Sequence, residues 1–339
     1  MGLLTDNNFS LIQNYCLEHD IFFEKDVELS KVSYMKTGGR AHLVLKPRSS
    51  EQAAGLLGFL TQNGLGYKII GNTSNLLFLD DVDYPVLISS AAMTDIVLDQ
   101  SQGRIVVQGG ALMPDLSRAA LSGCLAGFEG LEGIPGTIGG GIFMNAGAYG
   151  AELKDKLIEA ELALPDGSLR HFSLADLQLS HRSSVLRREA SGSFVCSATF
   201  QAKTGDERKI FGKMELFHAK RHKYQDFMYP NLGSIFSGSP YRALSARDRY
   251  FKLMSAAYYL LNYELRLFRR ESPINRRWLN DLVLKRFPLR YQHQPFSDKT
   301  LNCLVNRGQG TKEMVRFIRQ MEELTSGLVP LENEIVEEF

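Results

Sequence analysis

Cysteine is scarce in this chain: Cys16, Cys124, Cys196 and Cys303 are the only four in 339 residues, and they stand far apart. Structural zinc and dithiol redox centres need short paired spacings, so both are excluded and no metal site is expected. Four reduced, mostly buried thiols instead fit a cytoplasmic protein. Long apolar runs are also missing. Nowhere do about 18 apolar residues follow one another, so nothing spans a membrane, and Met1 to Asp20 has no basic start leading into an apolar stretch, so it is no secretory signal. An excess of one charge is absent too: 39 basic residues face 38 acidic ones, a net charge of +1. That balance gives no chain-wide footprint for nucleic acid or anionic lipid. With 44% hydrophobic and 23% charged residues, disorder is excluded, and the length predicts roughly two or three domains at about 100 to 200 residues each.

What is present reads as α+β. Arg40 to Lys46 alternates as a strand, and Ser49 with Gln52 resembles a capping box opening a helix over Glu51 to Gln62, stopped by Gly64 and Gly66. Short strands are expected at Tyr67 to Ile70, Asn75 to Leu79, Val86 to Ser89, Asp95 to Asp99 and Gly103 to Gln108, then a helix at Met113 to Ser122. Leu157 to Leu164 and Leu169 to Phe172 flank the turn Pro165-Asp166-Gly167, and Phe194 to Gln201 is a further strand. In Tyr241 to Arg277 nine lysines and arginines face three acids, and Phe251, Met254, Tyr258, Leu261, Leu265 and Phe268 recur at helical spacing. Thr311 to Thr325 is a second amphipathic helix, with Met314, Phe317, Ile318, Met321 and Leu324 inward.

Glycine is distributed unevenly. Gly127 to Gly150 (GFEGLEGIPGTIGGGIFMNAGAYG) holds nine of the thirty glycines, a density that calls for positive φ or close approach of another molecule. Its brief three-residue period contains only Pro135, which rejects collagen. Clustered amides without Cβ atoms bind phosphate, which makes Gly71 to Ser74 and Ile134 to Gly140 candidates for a pyrophosphate cradle. Neither loop fits the Walker or the Rossmann pattern. From glycine alone, tight turns without a ligand are an equal alternative.

Read in order, Thr37-Gly38-Gly39 with Ala41, Gly71 to Leu77 (GNTSNLL), Gly127 to Gly150, His181-Arg182-Ser183-Ser184, Pro230 to Phe236 (PNLGSIF) and Leu331 to Ile335 (LENEI) resemble the UDP-N-acetylenolpyruvoylglucosamine reductases, flavoenzymes of peptidoglycan precursor synthesis. The resemblance covers nearly the whole chain except Tyr241 to about Asn275. It implies an FAD-binding fold of the vanillyl-alcohol-oxidase (PCMH) type in two subdomains, 1–88 and 89–216. A C-terminal α/β substrate-binding domain follows over 217–330, with a helical insertion near 241–275, and then the segment 331–339. The chemistry implied is reduction of FAD by NADPH, followed by hydride transfer to the enolpyruvyl group of UDP-N-acetylglucosamine enolpyruvate, yielding UDP-N-acetylmuramate.

Residue by residue, the resemblance implies that Ser234 donates the proton, and that Arg182 and Glu334 polarise the substrate carboxylate and stabilise the enolate. It implies flavin contacts from Gly71, Asn72, Thr73, Ser74, Asn75 and Leu76 in the first loop and from Ile134, Pro135, Gly136, Thr137, Gly139 and Gly140 in the second. Asn145, Gly147 and Ala148 join them, and Gln225, Asn231 and Asn302 are implied as substrate contacts. Without the resemblance, Ser234 would read as a turn residue, Arg182 as a solvated charge and Glu334 as part of an acidic tail. The chain departs from the family pattern at Thr73, usually glycine, at His181, usually tyrosine, at Asp226, usually proline, and at Ser237 to Pro240, usually Lys-Asn-Pro. Leu284 to Lys299 replaces a glycine-rich stretch. The reduction chemistry therefore reads as kept and the pocket as rebuilt. This leaves a paralogous reductase of a related nucleotide sugar, or a non-catalytic flavin-binding protein, as alternatives. The insertion is expected either as an extra helix packed on the substrate domain or as a basic face toward an acidic partner or membrane surface.

Overall fold

The structure, a computed structural model, describes residues 5–148, 150–190, 192–264 and 276–337. Three sheets organise it. The first runs in the order Phe22–Glu28, Arg40–Lys46, Tyr84–Ser89, Lys68–Ile70; its first pair is antiparallel and the others parallel. The helix Ser50–Gln62 connects Arg40–Lys46 to the strand Lys68–Ile70, burying Leu56, Leu57 and Leu60. Ser49 caps it by accepting from the Gln52 amide at 3.2 Å, but the Gln52 carboxamide reaches back to the Arg48 amide at 2.8 Å, one residue before the position of a true capping box.

The second sheet is wholly antiparallel, in the order Leu169–Ser173, Leu157–Ala163, Phe194–Gln201, Arg104–Gln108, Ile96–Asp99. Helices Met113–Ser122 and Ile138–Met144 cover it, and Ile105, Leu116, Ile142 and Phe200 share one core. Strands Arg40–Lys46 and Phe194–Gln201 and helix Met113–Ser122 have the bounds expected from the sequence.

A third, small antiparallel sheet orders Asn231–Ser234, Thr300–Val305 and Phe296–Ser297. Its core includes Met314, Phe317, Ile318 and Met321, four of the five residues expected inward on the helix Thr311–Thr325; Leu324 packs half-buried beside them. That helix lacks a side-chain cap of its own. Asp80, far away in sequence, substitutes: its carboxylate accepts from the Thr311 amide at 2.8 Å and from the Gly38 amide at 2.9 Å. Finally Glu334–Val336 returns to pair, parallel, with Leu76–Phe78. The end of the chain is thereby fastened to the first glycine-bearing loop.

The segment expected as one helix is two, Pro240–Arg247 and Arg249–Tyr259, separated by Asp248 in an extended conformation and followed by a π-helical turn over Leu260–Glu264. Phe251 and Tyr258 are buried and Met254 half-buried in the third core, as the periodicity requires, but Leu261 is 36% exposed. The π turn explains the departure, because its wider winding carries the following side chains off the buried stripe. Leu265 and Phe268 lie outside the described residues. Among the described residues, no helix is long and apolar enough to cross a membrane.

Candidate functional site

A cleft of about 1630 Å³ runs between the three sheets. One wall is made by the two glycine-bearing loops, which are built against each other. A Cβ on Gly71 would overlap Thr137 Oγ1, and one on Gly136, where φ is +151°, would crowd Met113 and Ser74. The Ser74 hydroxyl donates to Pro135 O, and Thr137 Oγ1 caps the helix Ile138–Met144 by accepting from the Gly140 amide at 3.2 Å. Thr73 takes φ +53°, a left-handed conformation costly for a β-branched residue, and its hydroxyl accepts from the Tyr34 amide at 2.8 Å. The amides of Asn72, Thr73 and Ser74 have no acceptor among the described residues. A Cβ-free approach beside unspent donors fits the pyrophosphate of a dinucleotide. The donors gathered there are backbone amides and owe nothing to Lys or Arg.

The other wall carries the side chains expected to react. Ser234 ends the strand Asn231–Ser234, opposite Cys303; its hydroxyl is exposed and has no hydrogen-bond partner among the described residues. Arg182 sits in a tight turn at φ +53°, half-buried. Its Nε lies 2.6 Å from Glu332 Oε1, yet the N–H is turned away from that oxygen, so the charges pair while the donor stays unsatisfied. Glu334 is held by its amide, which donates to Asn75 O at 2.9 Å, and by an ion pair with Lys68. The neighbouring Cys303 thiol, pushed up to about 12 chiefly by burial, supplies no thiolate here.

Every expected site residue lines the cleft except Asn145. That side chain is fully buried, donating to Glu152 Oε2 at 3.1 Å and Ser180 O at 2.9 Å, while its backbone ends the helix Ile138–Met144 at φ +44°. Asn145 thus shapes the loop, and its side chain turns away from the cleft. The expected substrate contacts are also largely occupied. Asn302 accepts from the Phe236 amide at 2.9 Å and donates to Phe236 O and Gly238 O, and Asn231 donates to Asp226 O and Tyr229 O and accepts from the Gly233 amide. Asp226 ties this loop to Ser297, whose hydroxyl donates to it at 2.6 Å. Lys68, Arg276 and Glu332 also face the cleft, the first two without any sequence signal and the third inside the motif Leu331 to Ile335. Among the described residues no three His, Cys, Asp or Glu gather as a metal site.

A family profile described as an FAD binding domain matches residues 41–173. The UDP-N-acetylenolpyruvoylglucosamine reductase of Latilactobacillus sakei is 40% identical over 208 residues, 61% of this chain and 67% of that protein. The chain belongs to this reductase family. A second member, from Lactobacillus gasseri, is 32% identical over 216 residues, covering 64% of this chain and 71% of its own. The crystal structure of UDP-N-acetylenolpyruvylglucosamine reductase from Thermus caldophilus superposes with a TM-score of 0.68 at 23% identity, over 94% of this chain and 100% of that one, which supports the fold. Both glycine-bearing loops lie within the span that the FAD binding domain profile matches.

Proposed function

We propose that this chain is a cytoplasmic, FAD-dependent reductase of UDP-N-acetylglucosamine enolpyruvate, forming UDP-N-acetylmuramate for peptidoglycan precursor synthesis with NADPH as the hydride donor. The observation that carries this reading is that Arg182, Ser234 and Glu334, from three distant parts of the chain, line the same cleft as the two dinucleotide loops. FAD, when bound, supplies the hydride that is added to the enolpyruvyl double bond. The protein's task is then to hold the substrate carboxylate and to protonate the carbon beside it. Arg182, with an unsatisfied Nε donor, suits the carboxylate. Ser234, whose hydroxyl has no partner among the described residues, can give up its proton; a weak acid suffices because the enolate-like carbon is strongly basic. Glu334, anchored by Lys68 and the Asn75 carbonyl, is positioned to stabilise the developing enol. In this reading 1–88 and 89–216 hold the flavin, 217–330 holds the substrate, and the segment 331–339 carries Glu334. Four free cysteines support a reducing compartment.

Stopped-flow traces of Ser234→Ala test the assignment. Flavin reduction by NADPH should proceed at nearly the normal rate, while reoxidation by the enolpyruvyl substrate slows by roughly 10² to 10⁴-fold. Equal slowing of both steps would remove Ser234 from the chemistry.

A further inference from the structure

We propose that Arg276 is a specificity-determining residue that binds the diphosphate of the nucleotide-sugar substrate, an inference that rests on the substrate class just given. Arg276 stands immediately before the helix Arg277–Arg286, where its amide donates to Lys299 O at 2.8 Å, and it lines the cleft. Its guanidinium lies 5.7 Å from the centre of the Tyr241 ring. That ring is a fixed platform, buried, with its hydroxyl donating to Asn280 Oδ1 at 2.6 Å and meeting Thr300 Oγ1 at 3.2 Å.

Among the described residues, each of the other cationic side chains of the cleft has a protein partner, although Arg182 keeps its Nε donor free. Arg182 pairs with Glu332, Lys68 with Glu334 and Arg319 with Glu322; Arg187 donates to Arg182 O, and Arg221 to the carbonyls of Glu132 and Gly130. Arg276 has no ion pair and no side-chain hydrogen bond among the described residues, and its Nε is buried without a partner. A guanidinium donor removed from water and given no acceptor costs free energy until a ligand supplies one, and the acceptor that its planar fork fits best is a carboxylate or phosphate.

Position selects the phosphate. Arg276 is tied to Lys299, at the start of the strand Thr300–Val305, whereas Ser234 faces Cys303 on that strand. The three-residue step from Thr300 to Cys303 is about 10 Å. The reacting double bond and the diphosphate of the substrate are separated by the width of a sugar ring and its linking oxygens. The substrate carboxylate, by contrast, adjoins the reacting carbon and belongs beside Ser234.

Calorimetric titration of the FAD-loaded protein with UDP and with uridine tests this. Wild type should bind UDP more tightly than uridine, and Arg276→Ala should weaken UDP at least tenfold while uridine affinity and the flavin spectrum stay unchanged. Arg276→Lys should recover part of the loss. Should Arg276→Ala shed FAD, Arg276→Gln, which keeps the stem and a polar head, becomes the deciding variant with the same expected tenfold loss. Unchanged UDP affinity in Arg276→Ala and Arg276→Gln would overturn this inference alone, and so would an equal loss for UDP and uridine. A wild type that binds neither UDP nor the nucleotide sugar would overturn the inference together with the substrate reading.

Discussion

On the wall formed by residues 71–76 and 134–140 the donors of Asn72, Thr73 and Ser74 are backbone amides without acceptors among the described residues, whereas on the wall formed by 225–238 and 300–306 the side chains of Asn231 and Asn302 bond the backbone of residues 226–238. Both walls contain the expected residues, but polarity serves different ends. The first wall is shaped for a ligand by its backbone, and its requirements, close approach at Gly71 and positive φ at Gly136, are written as residue types. The second wall is shaped by side chains that first hold up the loop. An asparagine that supports a turn and one that grips a sugar look the same in a sequence.

The largest test of this contrast is Gly71→Ala. Its Cβ would meet Thr137 Oγ1, so the loops must part; overpacking of this kind costs about 1–3 kcal/mol. Because the cradle depends on that approach, the purified variant should be colourless or nearly so at the flavin absorbance, and Thr137→Ala added to it should restore part of the yellow protein. A fully yellow Gly71→Ala would show that the cradle tolerates separation of the loops.

Asn302→Ala should act more moderately and in the opposite place. It strands the buried Phe236 amide and carbonyl, at about 1–3 kcal/mol for each unsatisfied group. The thermal midpoint should fall and KM rise while FAD content stays normal. Undiminished stability with a raised KM would make Asn302 a direct substrate contact and erase the difference between the walls.

The smallest effect concerns pH. Lys154, chiefly, with Asn145 and His181, holds the Glu152 carboxyl below its ordinary 4.5, beside the cleft-lining strand Gly147–Ala148. A depressed folded-state pKa contributes stability above 4.5 and loses it as pH falls through the folded value. Glu152→Gln should therefore flatten the decline in thermal midpoint below pH 4.5, most visibly in FAD release; parallel declines for the two proteins would count against this linkage.

Much of the architecture was legible in the residues themselves. Alternation marked Arg40–Lys46 and Phe194–Gln201, helical spacing marked Met113–Ser122 and the buried face of Thr311–Thr325, and glycine marked both loops. These signals are local, since each records a demand that one stretch of backbone makes on its own side chains. The helix Asp6–Glu18 and the strand Phe22–Glu28 carry weaker patterns, and a π turn interrupts the face that helical spacing extends through Leu261. Legibility stopped where partners are remote in sequence. Asp80 capping the helix Thr311–Thr325, Lys68 pairing with Glu334, Glu332 beside Arg182 and Arg276 over Tyr241 join residues from different parts of the fold. A carboxylate in an acidic run and one facing a half-buried guanidinium are chemically identical until the chain closes around them. Backbone shape was thus determined by the sequence, and the pairing of charges across the cleft by the tertiary structure, because only folding sets the distance on which a Coulomb or hydrogen-bond energy depends.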